Sequence, residues 1–444
     1  MTQNRRQFLA GIAPLVLPAS VLGRSGTVAP SDRITVGMIG MGRQASKVNV
    51  VQFFGMSDVQ VVAVCDVDAW RLENAKSQVE QAYARQAASG VYKGCLAYRD
   101  FRDLLANPQI DAVMISAPDH WHVPISMEAV RAGKDVSCEK PLTRCIGEGR
   151  RLSDLVRKTG RVFRTDSEFR SVKIYYDAVE LVCNGRIGKL KVIRTGVPYD
   201  EVTCPPQPPM PVPPELDYES WQGPAPRAPY TEKRVHTPHS YERGGWMRHL
   251  YYCDGMISNW GYHLNDIAQW GNGTDRTGPV EIEGHGEWLP PDNFWNVPIT
   301  FEINYRYANG VRMVYRLASK DESAYVRFEG EDGWIYAEYG EPLQAEPASI
   351  LKSVITDSEI HFPFKTDKGD FIDAVKTRGP TLEDAEVGHR TTTVCHLGHI
   401  AILLGQRLVW DPAVERFTNN DAANAWVDKR ILGTKQCLRK ESRG

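Results

Sequence analysis

Residues 34–45 read ITVGMIGMGRQA, a short apolar run that leads directly into a glycine-rich turn. The run Ile34–Ile39 is apolar and β-branched, which is typical of a buried parallel strand. In the G-x-G-x-x-A pattern that follows, Gly40 permits a tight turn, Gly42 lets the backbone approach a pyrophosphate, and Ala45 lets a helix pack close to the strand. The stretch predicts the first strand, turn and helix of a dinucleotide-binding α/β domain.

The end of the next strand indicates which dinucleotide this domain prefers. A second apolar run, Val59–Val64, is followed by Cys65 and Asp66. An acid at this position binds a ribose 2′-hydroxyl and repels a 2′-phosphate, so Asp66 favours NAD over NADP. A glycine turn in an unrelated α/β fold is the alternative interpretation. The turn residues expected to contact the cofactor are Gly40, Met41, Gly42, Arg43 and Gln44.

The length and charge of the chain limit its partners. With 444 residues the chain has room for about two domains. A net charge of −2 provides no basic excess for nucleic acid, and no uninterrupted apolar stretch is long enough to predict a membrane span. Two histidine pairs, His120 with His122 and His236 with His239, have no carboxylate or cysteine nearby at the sequence spacing typical of metal ligands. No metal site is expected, and a small polar molecule is the expected ligand.

The first residues resemble a targeting signal. The segment Asn4–Leu9 contains a twin arginine, and an apolar stretch follows it as far as Leu22. This pattern predicts a twin-arginine export signal over residues 1–30 and a periplasmic or extracytoplasmic location, with a cytoplasmic N-terminal helix as the alternative. Because that pathway carries folded proteins, NAD would be loaded before export and retained. The catalytic cycle would then have to regenerate the cofactor in place.

The remaining pattern predicts two domains of different style. Residues 31–167 alternate strand and helix signals, which favours an α/β Rossmann domain with a parallel sheet. Residues 168–444 contain alternating strand-like runs joined by turns, which favours an α+β domain with an open, mostly antiparallel sheet. The proline-rich stretch 198–229 is expected to form an extended surface arm or a disordered linker. Its Tyr218 and Trp221 predict packing against another surface, such as a partner subunit.

Several motifs together carry a family resemblance. SAPDHWH at 116–122, CEKP at 138–141 and NGRIGKLK at 184–191 resemble the Gfo/Idh/MocA oxidoreductases over nearly the whole chain after the export signal. Residues 213–229 and NWGYHLNDIAQWG at 259–271 look like an exported branch of that family. The resemblance implies an NAD-binding enzyme that acts on CH–OH groups, and by analogy a homo-oligomer, dimer or tetramer, formed through the open sheet and the arm.

The resemblance also assigns roles around the nicotinamide. It implies that Lys140 faces the substrate hydroxyl, next to a cis-type turn at Pro141, and that Glu139 contacts the cofactor. A surface lysine in a turn is the alternative interpretation. It further implies that Pro118 and His122 flank the nicotinamide. Trp121 would cover the site and touch the substrate, with simple loop packing as the alternative.

The segment Asn259–Asp266 resembles the family signature D-x-G-x-H-x-x-D. It makes His263 a candidate catalytic acid or base beside Lys140, or else a histidine satisfied within the core. Asn259 stands where an acid is usual, so Asp266 or Asp254 would have to replace that acid. Two arginines are candidate substrate clamps or ordinary ion-pair partners. The residues expected to contact substrate are Trp121, Arg170, Arg248, Asn259, Tyr262 and Asp266, and Trp260 is a further candidate for stacking on a sugar.

Three functions follow from this pattern. The first is an NAD-dependent oxidoreductase acting on a sugar, glycoside or polyol hydroxyl, in which Lys140 and His263 handle the hydroxyl proton and the bound cofactor is recycled in place. The second is redox-neutral glycoside cleavage, in which transient oxidation permits elimination and the hydride then returns. His263 or Tyr262 would supply the base for that route. The third is a non-catalytic sugar-binding protein, which the Asn259 substitution favours.

Overall fold

The computed structural model describes residues 32–200, 203–418 and 420–432. The predicted export signal, residues 1–30, lies outside them. Within the described ranges the chain forms two sheets, one of six strands and one of nine. The first is parallel throughout and the second is mostly antiparallel, so the predicted fold class is confirmed.

The first sheet has the strand order β3-β2-β1-β4-β5-β6. Its order reverses between β1 and β4, which is where ligands bind to sheets of this type. The strands are Ile34–Ile39 (β1), Val59–Cys65 (β2), Leu96–Tyr98 (β3), Ala112–Ile115 (β4), Asp135–Glu139 (β5) and Phe163–Asp166 (β6). The helices are Val50–Phe54 (α1), Ala69–Ala82 (α2), Ala84–Ala88 (α3), Phe101–Ala106 (α4), Asp119–Arg131 (α5) and Ile146–Thr159 (α6), with a π-helical turn at Ala45–Asn49 before α1.

The second sheet has the order β13-β12-β11-β7-β10-β9-β8-β14-β15, so its first strand lies near the middle. That strand, β7, pairs in parallel with β10 and antiparallel with β11. The strands are Leu190–Val197 (β7), Glu281–Trp288 (β8), Pro298–Arg306 (β9), Arg312–Leu317 (β10), Tyr325–Gly330 (β11), Trp334–Glu338 (β12), Gln344–Glu346 (β13), Leu408–Asp411 (β14) and Arg416–Phe417 (β15).

Helices cover one face of this sheet, and the apolar side chains between them form the larger core of the protein. The helices that follow β6 in the chain are Lys173–Cys183 (α7), Tyr218–Gln222 (α8), Met256–Asn259 (α9), Gly261–Gly271 (α10), Asp367–Thr377 (α11), Ala385–Leu404 (α12) and Asp421–Asn424 (α13). Of these, α7, α10 and α12 pack on the second sheet, whereas α8 packs in a small separate cluster and α11 packs on the first sheet. Every residue of α10 is buried, because this helix lies between the sheet, α7 and α12. Among the described residues, no helix combines the length and the apolar character that a membrane crossing requires.

The aromatic end of the proline-rich arm packs on the first domain of its own chain, so the expected packing of Tyr218 and Trp221 is met within one chain. Tyr218 and Trp221 are buried in a small apolar cluster that also contains Tyr252. The Trp221 carbonyl accepts a hydrogen bond from Nε2 of His120 at 2.9 Å, and Leu216 forms an isolated bridge with Asp68. The described part of the arm is therefore secured by aromatic packing and backbone hydrogen bonds.

Residues 216–247 are here called the covering segment. This segment includes the last part of the arm and continues across the first domain. The Arg71 guanidinium donates to the Ser240 carbonyl at 2.8 Å, and the His236 ring lies 3.0 Å from the Asp68 carboxylate. The Tyr241 ring packs on Trp70 with the ring centroids 5.2 Å apart. These contacts hold the segment over the carboxyl end of β2.

Candidate active site

A cleft of about 970 Å³ runs along the carboxyl edge of the parallel sheet and continues to α9 and α10. Both domains contribute to its walls, so the cleft can bind two ligands next to each other. Most of the residues expected to contact cofactor, substrate or the reacting proton line it. They are Gly40, Gly42, Arg43, Gln44, Asp66, Pro118, Trp121, His122, Glu139, Lys140, Asn259 and His263.

The glycine turn has the geometry that a dinucleotide requires. Gly40 has a φ of +83°, and a Cβ there would lie 2.6 Å from the backbone nitrogen of Ala117. A Cβ on Gly42 would meet only a guanidinium nitrogen of Arg71, at 3.9 Å, so the space beside Gly42 is open. A pyrophosphate can therefore approach this backbone, at the N-terminus of the helical turn that follows. The residues present fit NAD.

Asp66 holds the glycine turn in place and lines the cleft at the end where this turn lies. Its carboxylate accepts hydrogen bonds from the backbone nitrogens of Met41 at 2.6 Å and Asp68 at 2.8 Å. Burial raises the pKa of Asp66, while the Arg71 guanidinium and these two N–H groups oppose the rise. Met41 acts through this backbone contact, because its side chain is buried in the core.

Lys140 joins the two domains at the centre of the cleft. It follows β5, its bond to Pro141 is cis, and its Nζ donates to the Asn259 carbonyl at 2.9 Å. The preceding Glu139 accepts from Nδ2 of Asn49 at 2.8 Å. Burial, with the nearby Asp166 carboxylate, raises the pKa of Glu139 to about 8. The charges of Lys368 and Lys140 act against this rise.

His263 is a neutral base candidate held by Ser167, not by an acid. The Ser167 hydroxyl lies 2.8 Å from Nδ1 of His263, and the Phe169 ring stacks on the imidazole with centroids 4.3 Å apart. Burial, followed by the charge of Lys140, holds the pKa of His263 well below its usual value. The amide of Asn259 does not reach the imidazole; its Nδ2 lies 4.0 Å from Sδ of Met247.

Asp254 and Asp266, the two acids expected to replace the missing one, form ion pairs with other side chains. Asp254 forms a buried ion pair with Arg144 and lies 3.3 Å from Nδ1 of His399. Asp266 is paired with Arg170. The suggestion that either acid supports His263 is therefore wrong.

The loop after β4 packs against both domains. Pro118 directly precedes α5, and the two ring nitrogens of His122 lie 2.8 Å from the carbonyl oxygens of Ala117 and Pro141. His122 therefore links this loop to the turn that carries Lys140. The indole nitrogen of Trp121 lies 3.1 Å from the carbonyl oxygens of Ser220 and Trp221 in the covering segment. Trp121 thus closes one side of the cleft.

Four of the residues expected to contact substrate do not line the cleft, and these expectations are corrected. Arg170 and Asp266 form a buried bidentate pair with both contacts at 2.7 Å. Arg248 pairs with Asp200 in the same manner, at 2.6 and 2.9 Å. Tyr262 is fully buried beside α12 and β6, and burial raises its pKa well above the usual value. These side chains stabilise the walls rather than bind the ligand.

Several residues of the site were missed from the sequence. Ser167, Glu168 and Phe169 directly follow β6, and Glu168 accepts a hydrogen bond from Gln44 of the glycine turn at 3.1 Å. Their position after a parallel strand was a usable signal, because ligands bind at that edge. Tyr339 also lines the cleft, from the end of β12, and no local pattern marks it. Among the described residues no three His, Cys, Asp or Glu side chains converge as metal ligands.

Comparisons with known proteins agree with this geometry. Residues 34–167 match the model of an oxidoreductase family with an NAD-binding Rossmann fold, and residues 202–436 match the C-terminal α/β domain of the same family. The solved aldose–aldose oxidoreductase from Caulobacter crescentus, complexed with glycerol, superimposes with a TM-score of 0.61 at 16% identity. That match covers 85% of this chain and 99% of the other, and it shows the shared fold.

Curated relatives align over part of the chain. D-glucoside 3-dehydrogenase from Escherichia coli is 30% identical over 174 residues, which is 38% of this chain and 46% of the relative. A glycosyl hydrolase family 109 protein from Shewanella baltica is 33% identical over 155 residues, 34% of this chain and 32% of the relative. The chain thus spans less than half the length of these relatives. With both family models matched along its length, the chain belongs to the Gfo/Idh/MocA family of NAD-binding oxidoreductases.

Proposed function

We propose that this protein is an NAD-dependent oxidoreductase that acts on a hydroxyl of a sugar, glycoside or polyol. The observation that carries the proposal is the meeting of Lys140 and His263 in one cleft with the glycine turn. Lys140 is positioned by the first domain and His263 by the second. A hydroxyl bound between them would lie at the carboxyl edge of the sheet, where a nicotinamide is expected.

The two side chains would divide the proton chemistry. Bound NAD supplies the acceptor for the hydride that leaves the substrate carbon. Lys140 donates a hydrogen bond to the substrate oxygen, and neutral His263 accepts the hydroxyl proton at Nε2. Ser167 fixes the imidazole, while Trp121 and the covering segment exclude water. One carbon is oxidised, and one proton leaves with the base.

We further propose that the cofactor is retained between turnovers and recycled by a second sugar. The covering segment supports this, because its contacts with Asp68, Arg71 and Trp70 close the end of the cleft at which the adenosine would lie. Retention agrees with the proposed twin-arginine export to the periplasm, which requires a loaded, folded protein. Association into a dimer or tetramer also stays a prediction, with the outer face of the nine-stranded sheet as its surface.

Redox-neutral cleavage of a glycoside is the second candidate. It is favoured by the family 109 glycosyl hydrolase relatives and by a base that is neutral at rest, which elimination requires. His263 is the base for this route, since the buried Tyr262 does not reach the cleft. The same residues would serve both reactions, and the two differ in the product released.

One experiment separates these candidates. Protein is purified without added nucleotide, one sample is denatured, and any released cofactor is identified by mass spectrometry. A second, native sample is exposed to sugars and glycosides while NADH absorbance is followed. Bound NAD that is reduced and stays reduced until a second sugar is added supports the oxidoreductase. Release of aglycone without net reduction supports cleavage. Protein with no affinity for NAD contradicts both and leaves a sugar-binding role.

A further inference from the structure

Three aromatic side chains form one wall of the cleft beside His263. The Phe169 ring, which stacks on His263, lies 5.7 Å from the Tyr339 ring with the planes only 6° apart. The Trp260 ring lies 6.2 Å from each of the other two and nearly perpendicular to them. All three residues line the cleft. We call Phe169, Trp260 and Tyr339 the aromatic wall.

The wall runs from a buried end to an exposed end. Phe169 is 4% exposed, whereas Tyr339 is 49% exposed and is among the most exposed large apolar side chains described. The Tyr339 backbone nitrogen donates to the Ala324 carbonyl at 2.8 Å, which anchors the residue just beyond β12. An aromatic ring that is held in place at the mouth of a cleft, without protein covering it, is typical of a ligand contact.

The cofactor does not account for this surface. The glycine turn, Asp66 and Pro118 follow strands of the first sheet. They lie at its carboxyl edge, where the dinucleotide is expected to bind. The wall residues come from the second part of the chain, since Phe169 follows β6, Trp260 lies between α9 and α10, and Tyr339 follows β12. A ligand on the wall is therefore on the substrate side of the cleft, further out than the hydroxyl that meets Lys140.

We propose that Trp260 and Tyr339 form a subsite for a second sugar ring, so that the substrate is a disaccharide or a larger glycoside. The proposal rests on the proposed function, because it takes Lys140 and His263 to mark the ring that reacts. The C–H face of a pyranose is apolar and flat enough to cover an aromatic ring, while its hydroxyls point outward to polar groups or water. An exposed ring at the mouth suits a sugar that extends from the reacting ring toward solvent.

The test compares disaccharides with single rings. Binding of cellobiose, maltose, lactose and mannobiose is measured by calorimetry against the methyl glycoside of each non-reducing sugar, and reduction of the bound nicotinamide is followed in parallel. We expect at least one disaccharide to bind about tenfold tighter than its methyl glycoside. In Tyr339→Ala this gain should fall about three- to tenfold, with the affinity for the methyl glycoside unchanged.

Two variants serve as controls. Tyr339→Phe keeps the ring and should keep the gain. Tyr336→Ala removes a tyrosine of β12, three residues before Tyr339. Its ring packs on Tyr325 and does not line the cleft, so this variant should also keep the gain. Equal losses for one-ring and two-ring ligands in Tyr339→Ala, or no gain for any disaccharide in the unmodified protein, overturn the subsite. A disaccharide gain without nicotinamide reduction refutes the proposed oxidation and supports the subsite.

Discussion

The Ser167 hydroxyl lies 2.8 Å from Nδ1 of His263, and both side chains are buried. For Nε2 to accept a proton from substrate, Nδ1 must carry the ring hydrogen and donate it to the serine oxygen. A hydroxyl can accept that hydrogen bond but cannot stabilise an imidazolium by charge. The pair therefore orients a base that is neutral at rest, in a site where Asn259 replaces the acid of the family signature.

Removing this hydroxyl should slow the chemical step. In Ser167→Ala, Nδ1 loses its partner and the imidazole loses its fixed tautomer, so we expect kcat to fall about tenfold with KM nearly unchanged. The acid limb of the pH–rate profile should also move, which loss of packing alone would not cause. Ser171→Ala is the matched control, because its buried hydroxyl has no hydrogen-bond partner. Equal effects of the two variants would remove Ser167 from the mechanism.

Replacing Lys140 should separate catalysis from binding. Lys140→Met removes the donor to the substrate oxygen, and we expect reduction of bound NAD by sugar to slow by about a hundredfold or more. The amount of NAD that copurifies should not change, since the glycine turn and Asp66 are untouched. Lys158→Met, at an exposed position near the end of α6, is the control. Full activity of Lys140→Met would exclude the assigned role.

The covering segment should control how fast the cofactor leaves. Tyr241→Ser removes the ring that packs on Trp70 and faces the charges of Lys47 and Arg71. We expect dissociation of NADH, followed by its fluorescence after an excess of NAD is added, to speed up about tenfold. Tyr199→Ser serves as control, because that ring is exposed and contacts Lys320. An unchanged rate would show that the segment does not retain the cofactor.

Arg170 should matter for stability and not for substrate affinity. Arg170→Met leaves the carboxylate of Asp266 buried without its bidentate partner, and we expect a loss of about 3–5 kcal/mol in the free energy of unfolding. In Arg248→Met the pair with Asp200 is more exposed, so the loss should be about 1 kcal/mol or less. Denaturant unfolding measures both. A raised KM in Arg170→Met with unchanged stability would restore the substrate clamp.

The fold should lose stability as the pH falls below about 6.5. Burial holds the pKa of His120 and of His249 at about 3 and that of His396 at about 4, so the folded protein binds fewer protons than the unfolded chain in this range. Each such histidine costs about 1.4 kcal/mol per pH unit between the two pKa values. The lowered pKa values of His263 and His389 add to this loss, whereas buried carboxyls with raised pKa values, among them Glu139 and Glu383, act in the opposite sense.

Denaturation midpoints at pH 7 and pH 5 check this prediction. His120→Gln should reduce the loss of stability between pH 7 and pH 5, because it removes one of these histidines. His285→Gln alters an exposed histidine and should leave the slope as it is. The same pH dependence in His120→Gln as in the unmodified protein would contradict the assignment of a neutral, buried His120.

The sequence was informative where local pattern and chemistry coincide. The glycine turn after β1 needs a positive φ at Gly40, and the turn after β5 brings Lys140 to the same sheet edge. Both features are local, and the fold class that they predict is confirmed. The same local logic extends to Ser167, which directly follows β6 and could have been proposed for that reason.

Long-range pairing decided what the sequence could not predict. Arg170 and Asp266 carry charges suited to a substrate, but each meets the other across the fold before it can reach the cleft. Trp221 is apolar enough to suit a subunit contact, and it packs on His120 of its own chain instead. Tyr339 enters the cleft from a distant strand end. These contacts depend on which helices and strands pack together in the fold, and the spacing of residues along one sequence does not reveal that.

The central place of β7 in the second sheet has a consequence for the order of folding. Its neighbours, β10 and β11, come much later in the chain than the covering segment does. Contacts of such high sequence separation form slowly, so the second sheet can close only after these late strands arrive. The first sheet also depends on a late element, because Phe371 and Ile372 of α11 complete the core beside β1. Both halves of the cleft would then mature only after the last third of the chain has been made, although the first six strands come from its beginning.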